Sequence, residues 1–192
     1  MSDQTTFTPE EWSQIRTAPM LVTTGVTAAD PSGIFGSIKE AAAGMHAMIA
    51  SLQAGGPSGL LGSLLADKSA PSLPDFKSML GEGDKAKQLS NLKTAILGKI
   101  RGTLNILKQK ASPEEVTSYT AMLSKVADNA ANSAKEGGFL GFGGTLVSAP
   151  EQAFLDELKT ALHTGCVKPD DGRLSRPLGG KSGRIRSTSP QL

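Results

Sequence analysis

The side chains able to do chemistry are few: two histidines and one cysteine among 192 residues. His163 and Cys166 lie three apart, where the last helical stretch gives way to a tail. An imidazolium beside a thiol would depress its pKa and make Cys166 a reactive thiolate. At the edge of an ordered region such a geometry is poorly held, so an incidental exposed cysteine is the plainer expectation. His46 stands between Met45 and Met48, beside an apolar stripe, where a half-buried histidine is expected rather than a ligand. No Glu-x-x-His occurs, so the ligand pattern of di-iron helical bundles is missing. One cysteine excludes an intramolecular disulfide and a paired-cysteine zinc site. "GGKS" at Gly179 to Ser182 resembles the end of a phosphate loop, yet the motif's first glycine would fall on Ser175, with no strand before it. No catalytic, metal-binding or cofactor-binding residue is assigned, and no cofactor is expected.

Two other features are suited to contact rather than catalysis. From Thr164 onward Lys168, Arg173, Arg176, Lys181, Arg184 and Arg186 oppose Asp170 and Asp171, which leaves the tail at +4. The whole chain is +2, so residues 1–163 carry −2. A cationic tail attracts polyanions with strong salt dependence. It has no aromatic ring on which a base could stack, so specific nucleic-acid recognition is not expected. The second feature is "AKEGGFLGFGGTLVS" (Ala134 to Ser148), which places Phe139 and Phe142 on a glycine-rich bend. Gly137 and Gly138 suit the left-handed end of a helix. The two rings either fold back to plug the open end of a helical body or stay exposed as a partner or lipid contact. The plug is the expected arrangement.

The elements that must position these residues are helical. "FTPEEW" is a start signal, with Thr8 as N-cap, Pro9 in the first turn and Glu11 closing a capping box. Trp12, Ile15, Pro19, Val22 and Val26 then step by three and four, and Pro19 is expected to kink or split the helix near Ala18. A second helix is read from Gly33 to about Gln53. "GLLGSLLA" (Gly59 to Ala66) adds a short apolar turn or two, and "DKSAPSLPDF" a loop. A long helix follows from Asp84 to Lys110. Ser112, Pro113 and Glu115 start another, with Val116, Tyr119, Leu123, Val126 and Ala130 on one face. The last contains Phe154, Leu155, Leu158 and Leu162. The only β-like stretch, Thr145 to Val147, is too short to act alone.

The fold class is therefore all-α, a bundle of five to six amphipathic helices with short loops. Residues 1–7 are expected to be a flexible N-terminus, 8–163 the bundle, and 164–192 a basic disordered tail. "MSDQTTFTPEEW" lacks a basic n-region and an apolar h-region, so no signal peptide and a cytoplasmic location are expected. The phrases "FTPEEW", "AADPSG" and "KEGGFLGFGG" together resemble a group of small, uncharacterised bacterial helical proteins. That resemblance implies a bacterial helical protein and carries no activity, cofactor or site residue.

The leading functional expectation is a noncatalytic binding or assembly module. Its contacts would be the tail (Arg173, Arg176, Lys181, Arg184, Arg186) or the bend (Phe139, Phe142), and its partner a protein. A peripheral membrane protein using the Gly-rich apolar segments 33–66 is the alternative, though their polar face lacks the basic excess of surface binders. An enzyme of unknown type comes third, and a homo-oligomer stays open.

Overall fold

The computed structural model describes residues 1–29, 59–69, 72, 74–135 and 149–164. The protein is all-α. Six helices follow one another in the described residues: α1 (Pro9–Ala29), α2 (Gly59–Ala66), α3 (Phe76–Leu80), α4 (Lys85–Lys110), α5 (Pro113–Lys135) and α6 (Ala149–Thr164). A short 3-10 turn, Gln4–Thr6, precedes them.

Both capping boxes read from the sequence are present. At α1 the Thr8 amide donates to Glu11 Oε2 at 2.8 Å, and the Glu11 amide donates to Thr8 Oγ1 at 3.2 Å. At α5 the same exchange joins Ser112 and Glu115, at 3.0 and 3.3 Å. Each box satisfies two amides that the helix itself cannot. Asp75 and Asp84 cap α3 and α4 by accepting the amides of Ser78 and Lys87. The short helix α3 begins inside the stretch read as a loop, because Asp75 supplies that cap.

Helix α1 is the hub of the bundle and packs on α4, α5 and α6. Lys110 meets Glu11 at one end of the α1–α4 pair, while Leu21 and Lys99 line the same cleft further along, so the two helices run antiparallel. The core is built from the expected stripes. Ile15 and Val22 of α1, Ile96 and Ile100 of α4, and Leu123 and Val126 of α5 have no exposed surface. Each such side chain contributes roughly 1.5–3 kcal/mol of burial. Gly25 permits the closest approach of α1 to α6, since a Cβ there would lie 2.3 Å from Phe154 Cζ.

Two expectations are corrected. Helix α1 runs through Pro19 without the split expected, as the alternative to a kink, near Ala18. Proline at 19 supplies no N–H to the carbonyl of Ile15, four residues back. That carbonyl instead accepts a 2.6 Å hydrogen bond from the buried Tyr119 hydroxyl of α5. The helix thus keeps its proline because another helix supplies the missing donor.

Residues 1–7 do not hang free. Phe7 is buried and stacks on Trp12 with ring centroids 5.9 Å apart. This is a hydrophobic staple between the residue before the N-cap and the fourth helical position. Ser2 is buried too, and Asp3 caps the 3-10 turn.

Candidate functional site

Three groups of polar side chains stand out in the described residues. The first centres on Glu115. Its Oε1 accepts the amides of Ser2 (2.7 Å) and Leu60 (3.0 Å), and its Oε2 accepts the Ser2 hydroxyl (2.8 Å) and the Ser112 amide (3.0 Å). Partial burial works to raise its pKa. The hydrogen bonds from Ser112, Ser2 and Leu60 outweigh that effect and hold it at about 2. Gly59, at φ +70°, brings the start of α2 onto this carboxylate. A carboxylate with both oxygens engaged by four donors is a tether and not a general base.

The second group centres on Asp67, just past α2. Its Oδ1 accepts the hydroxyl and amide of Ser69, and its Oδ2 accepts the Trp12 indole N–H at 2.8 Å and pairs with Arg16 Nε at 3.2 Å. The Ser69 hydroxyl and the Trp12 indole are the main causes that bring its pKa down to about 2. Arg16 reaches on to the Ser69 carbonyl and hydroxyl. Here too the donors and acceptors are spent on holding the chain together.

In the third group two cations, Lys99 and Arg101, have no such internal use among the described residues. Of 20 basic and 18 acidic side chains, seven and five lie outside the described residues, leaving thirteen of each. Helix α4 carries seven of those thirteen bases and none of the acids. Lys110 is paired with Glu11 at 2.5 Å. Lys99 and Arg101, in the middle of the helix, are exposed and form no ion pair among the described residues. Between them and beyond lie exposed Thr94, Gly98 and Asn105, so the outward strip is small, uncharged and edged by cations. Lys99 also stands at the rim of a half-open cleft of about 180 Å³ between α1 and α4, with Ser13, Gln14, Thr17, Ser72 and Thr103. The Thr17 and Thr103 hydroxyls there donate to their own helices' carbonyls, which leaves them as acceptors.

The candidate residues taken from the sequence fall elsewhere. Phe139, Phe142, Cys166, Arg173, Arg176, Lys181, Arg184 and Arg186 all lie outside the described residues, as does His46. His163 is exposed, and its Nδ1 lies 2.7 Å from the Lys159 carbonyl of its own helix. Of the segments considered for lipid contact, residues 33–58 lie outside the described residues. In α2, Leu60 and Leu61 are buried in the core, and Leu65 is 38% exposed. No helix among the described residues is long and apolar enough to cross a membrane.

The signal that would have revealed the one-sided charge of α4 was present in the sequence. Counting charge helix by helix, rather than for body and tail, isolates 26 residues without one acid. Comparison with family models, with curated proteins and with solved structures finds no match to this chain.

Proposed function

We propose that the protein is a noncatalytic binding module whose contact surface in the helical body is the outward face of α4. One observation carries the reading: charge is segregated. Thirteen bases balance thirteen acids in the described residues, yet α4 holds seven of the bases and no acid. Such a helix focuses positive potential along its length and attracts a partner of opposite charge. The basic tail, with Arg173, Arg176, Lys181, Arg184 and Arg186, would add a second cationic contact. The bend bearing Phe139 and Phe142 would add an apolar one. A bacterial, cytoplasmic setting and a protein or other macromolecular partner belong to this proposal.

A photo-crosslinking amino acid placed at exposed Asn105, on the outward strip of α4, tests the reading against the same label at exposed Glu157 on α6. Adducts formed in cells should concentrate at position 105. Equal yields at the two positions, or none at 105, would remove α4 as the contact surface.

A further inference from the structure

An acidic protein can seat against a cationic helix whatever the helix carries besides its charge, whereas lipid and nucleic acid each make a further demand against which the described surface can be held. An anionic lipid surface asks for apolar groups that insert between headgroups. In the middle of α4 the outward side chains are Thr94, Gly98 and Asn105, and the exposed large apolar side chains among the described residues are Met1 and Leu65. A single nucleic-acid strand is held by stacking of its bases on aromatic rings. Among the described residues Phe7, Trp12, Tyr119 and Phe154 are buried in the core, and the half-buried Phe76 packs against it. A duplex needs neither device, because its phosphates are bound by cations spaced along a rigid support.

Resting on the reading of α4 as the contact surface, we infer that its outward face docks double-stranded nucleic acid through the phosphate backbone, without regard to sequence. The 26 residues of α4 extend for about 39 Å, comparable with one turn of a B-form duplex. Lys99 and Arg101 are two residues apart, which turns them roughly 200° about the helix axis onto opposite shoulders of the strip. Between the shoulders a Cβ at Gly98 or Gly102 would meet nothing within 4 Å. A phosphate chain can therefore approach the helix main chain while long cationic side chains reach it from both sides. The exposed amide side chains Asn105 and Gln109 lie one turn apart toward the C-terminal end of the strip, while its middle is Thr94, Gly98 and Gly102, so affinity comes from phosphate contacts and counterion release rather than from base edges.

The test is fluorescence anisotropy of a fluorescein-labelled duplex of about 30 base pairs, titrated with the full chain from roughly 50 to 200 mM salt. The parent is compared with Lys99→Gln/Arg101→Gln, whose helicity is checked by circular dichroism. Loss of two phosphate contacts should make the slope of log K against log salt shallower by about 1.8. It should also weaken binding at 0.1 M salt by on the order of 60-fold. A duplex of scrambled sequence should bind equally well. An unchanged slope in the double variant would take Lys99 and Arg101 out of the contact and overturn the inference. Capture on vesicles of equal parts phosphatidylcholine and phosphatidylserine, lost in the double variant, with no duplex binding, would overturn nucleic acid and leave α4 as a contact surface. Absence of both, together with no adduct at position 105, would overturn the underlying reading as well.

Discussion

The hydrogen bond from Tyr119 to the Ile15 carbonyl offers a sharp test of how this bundle tolerates a proline in its central helix. Tyr119→Phe keeps the ring and its packing and removes only the donor. The Ile15 carbonyl then loses the donor that replaces its usual helical one, since Pro19 lacks the N–H that would normally reach it. Leaving a buried carbonyl unsatisfied costs about 1–3 kcal/mol. For a chain of this size that corresponds to a fall in the unfolding midpoint of roughly 2–12 °C. Burial pushes the Tyr119 phenol well above its ordinary value of 10.0, so the group remains a neutral donor and the loss should not vary between neutral and mildly alkaline pH. The decisive measurement is a double-mutant cycle with Pro19→Ala, followed by thermal or urea unfolding. Alanine at 19 restores the intrahelical donor to Ile15, so Tyr119→Phe should cost much less in that background. A coupling energy of about 1 kcal/mol or more is expected. If Tyr119→Phe costs the same with proline or alanine at 19, within about 0.3 kcal/mol, the two groups are independent. The account of the unbroken helix would then be wrong.

Gly25→Ala should destabilise the protein by about 1–3 kcal/mol, because its Cβ would fall 2.3 Å from the buried Phe154 ring. Adding Phe154→Leu should recover part of that loss in urea unfolding, and a neutral Gly25→Ala would show that the two helices are not in close contact. Gly98→Ala and Gly102→Ala should each stabilise by about 0.5–1 kcal/mol, since both lie inside α4 with open space around the added methyl. Equal or lower stability in either variant would contradict that geometry. Glu115 and Asp67 both titrate at about 2 in the folded protein, below their ordinary values of 4.5 and 3.8. Their contribution to stability is therefore complete above about pH 4.5 and is lost as pH falls toward 2. Glu115→Gln should lower stability at neutral pH and flatten the acid limb of a midpoint-against-pH curve, and an acid limb identical to the parent's would refute the tether.

What the sequence disclosed was what neighbouring residues decide among themselves. Thr8 with Glu11 and Ser112 with Glu115 are three apart, so both capping boxes and both helix starts were legible. The apolar stripes followed from spacing alone. The misreadings share one cause, a partner far away in the chain. Pro19 reads as a helix breaker until Tyr119, 104 residues beyond Ile15, provides the donor. Ser2 reads as a loose end until Glu115, 113 residues away, accepts its amide and hydroxyl. Glu115 was legible as half of a capping box, but its hold on Leu60 and Ser2 was not. The basic strip of α4 was written openly in the sequence and was obscured by averaging charge over the whole body.

The uses of the two signs of charge bear directly on the proposed contact surface. Six of the thirteen described acids are employed in folding the body. Asp3, Asp75 and Asp84 cap helical turns, Glu11 and Glu115 close capping boxes, and Asp67 binds Trp12 and Arg16. Caps of this kind are worth about 1 kcal/mol each, so their positions are explained by stability. Some bases have a comparable explanation. Arg16 serves Asp67 and Lys110 serves Glu11, while Lys108 and Lys110 sit in the last turn of α4, where a cation offsets the helix dipole. Lys99 and Arg101 share none of this. They are exposed, lie well away from either terminus of α4 and pair with no described acid. An isolated surface cation contributes little to stability, so folding gives no reason for two of them to flank an acid-free strip. A partner carrying regularly spaced negative charge supplies one.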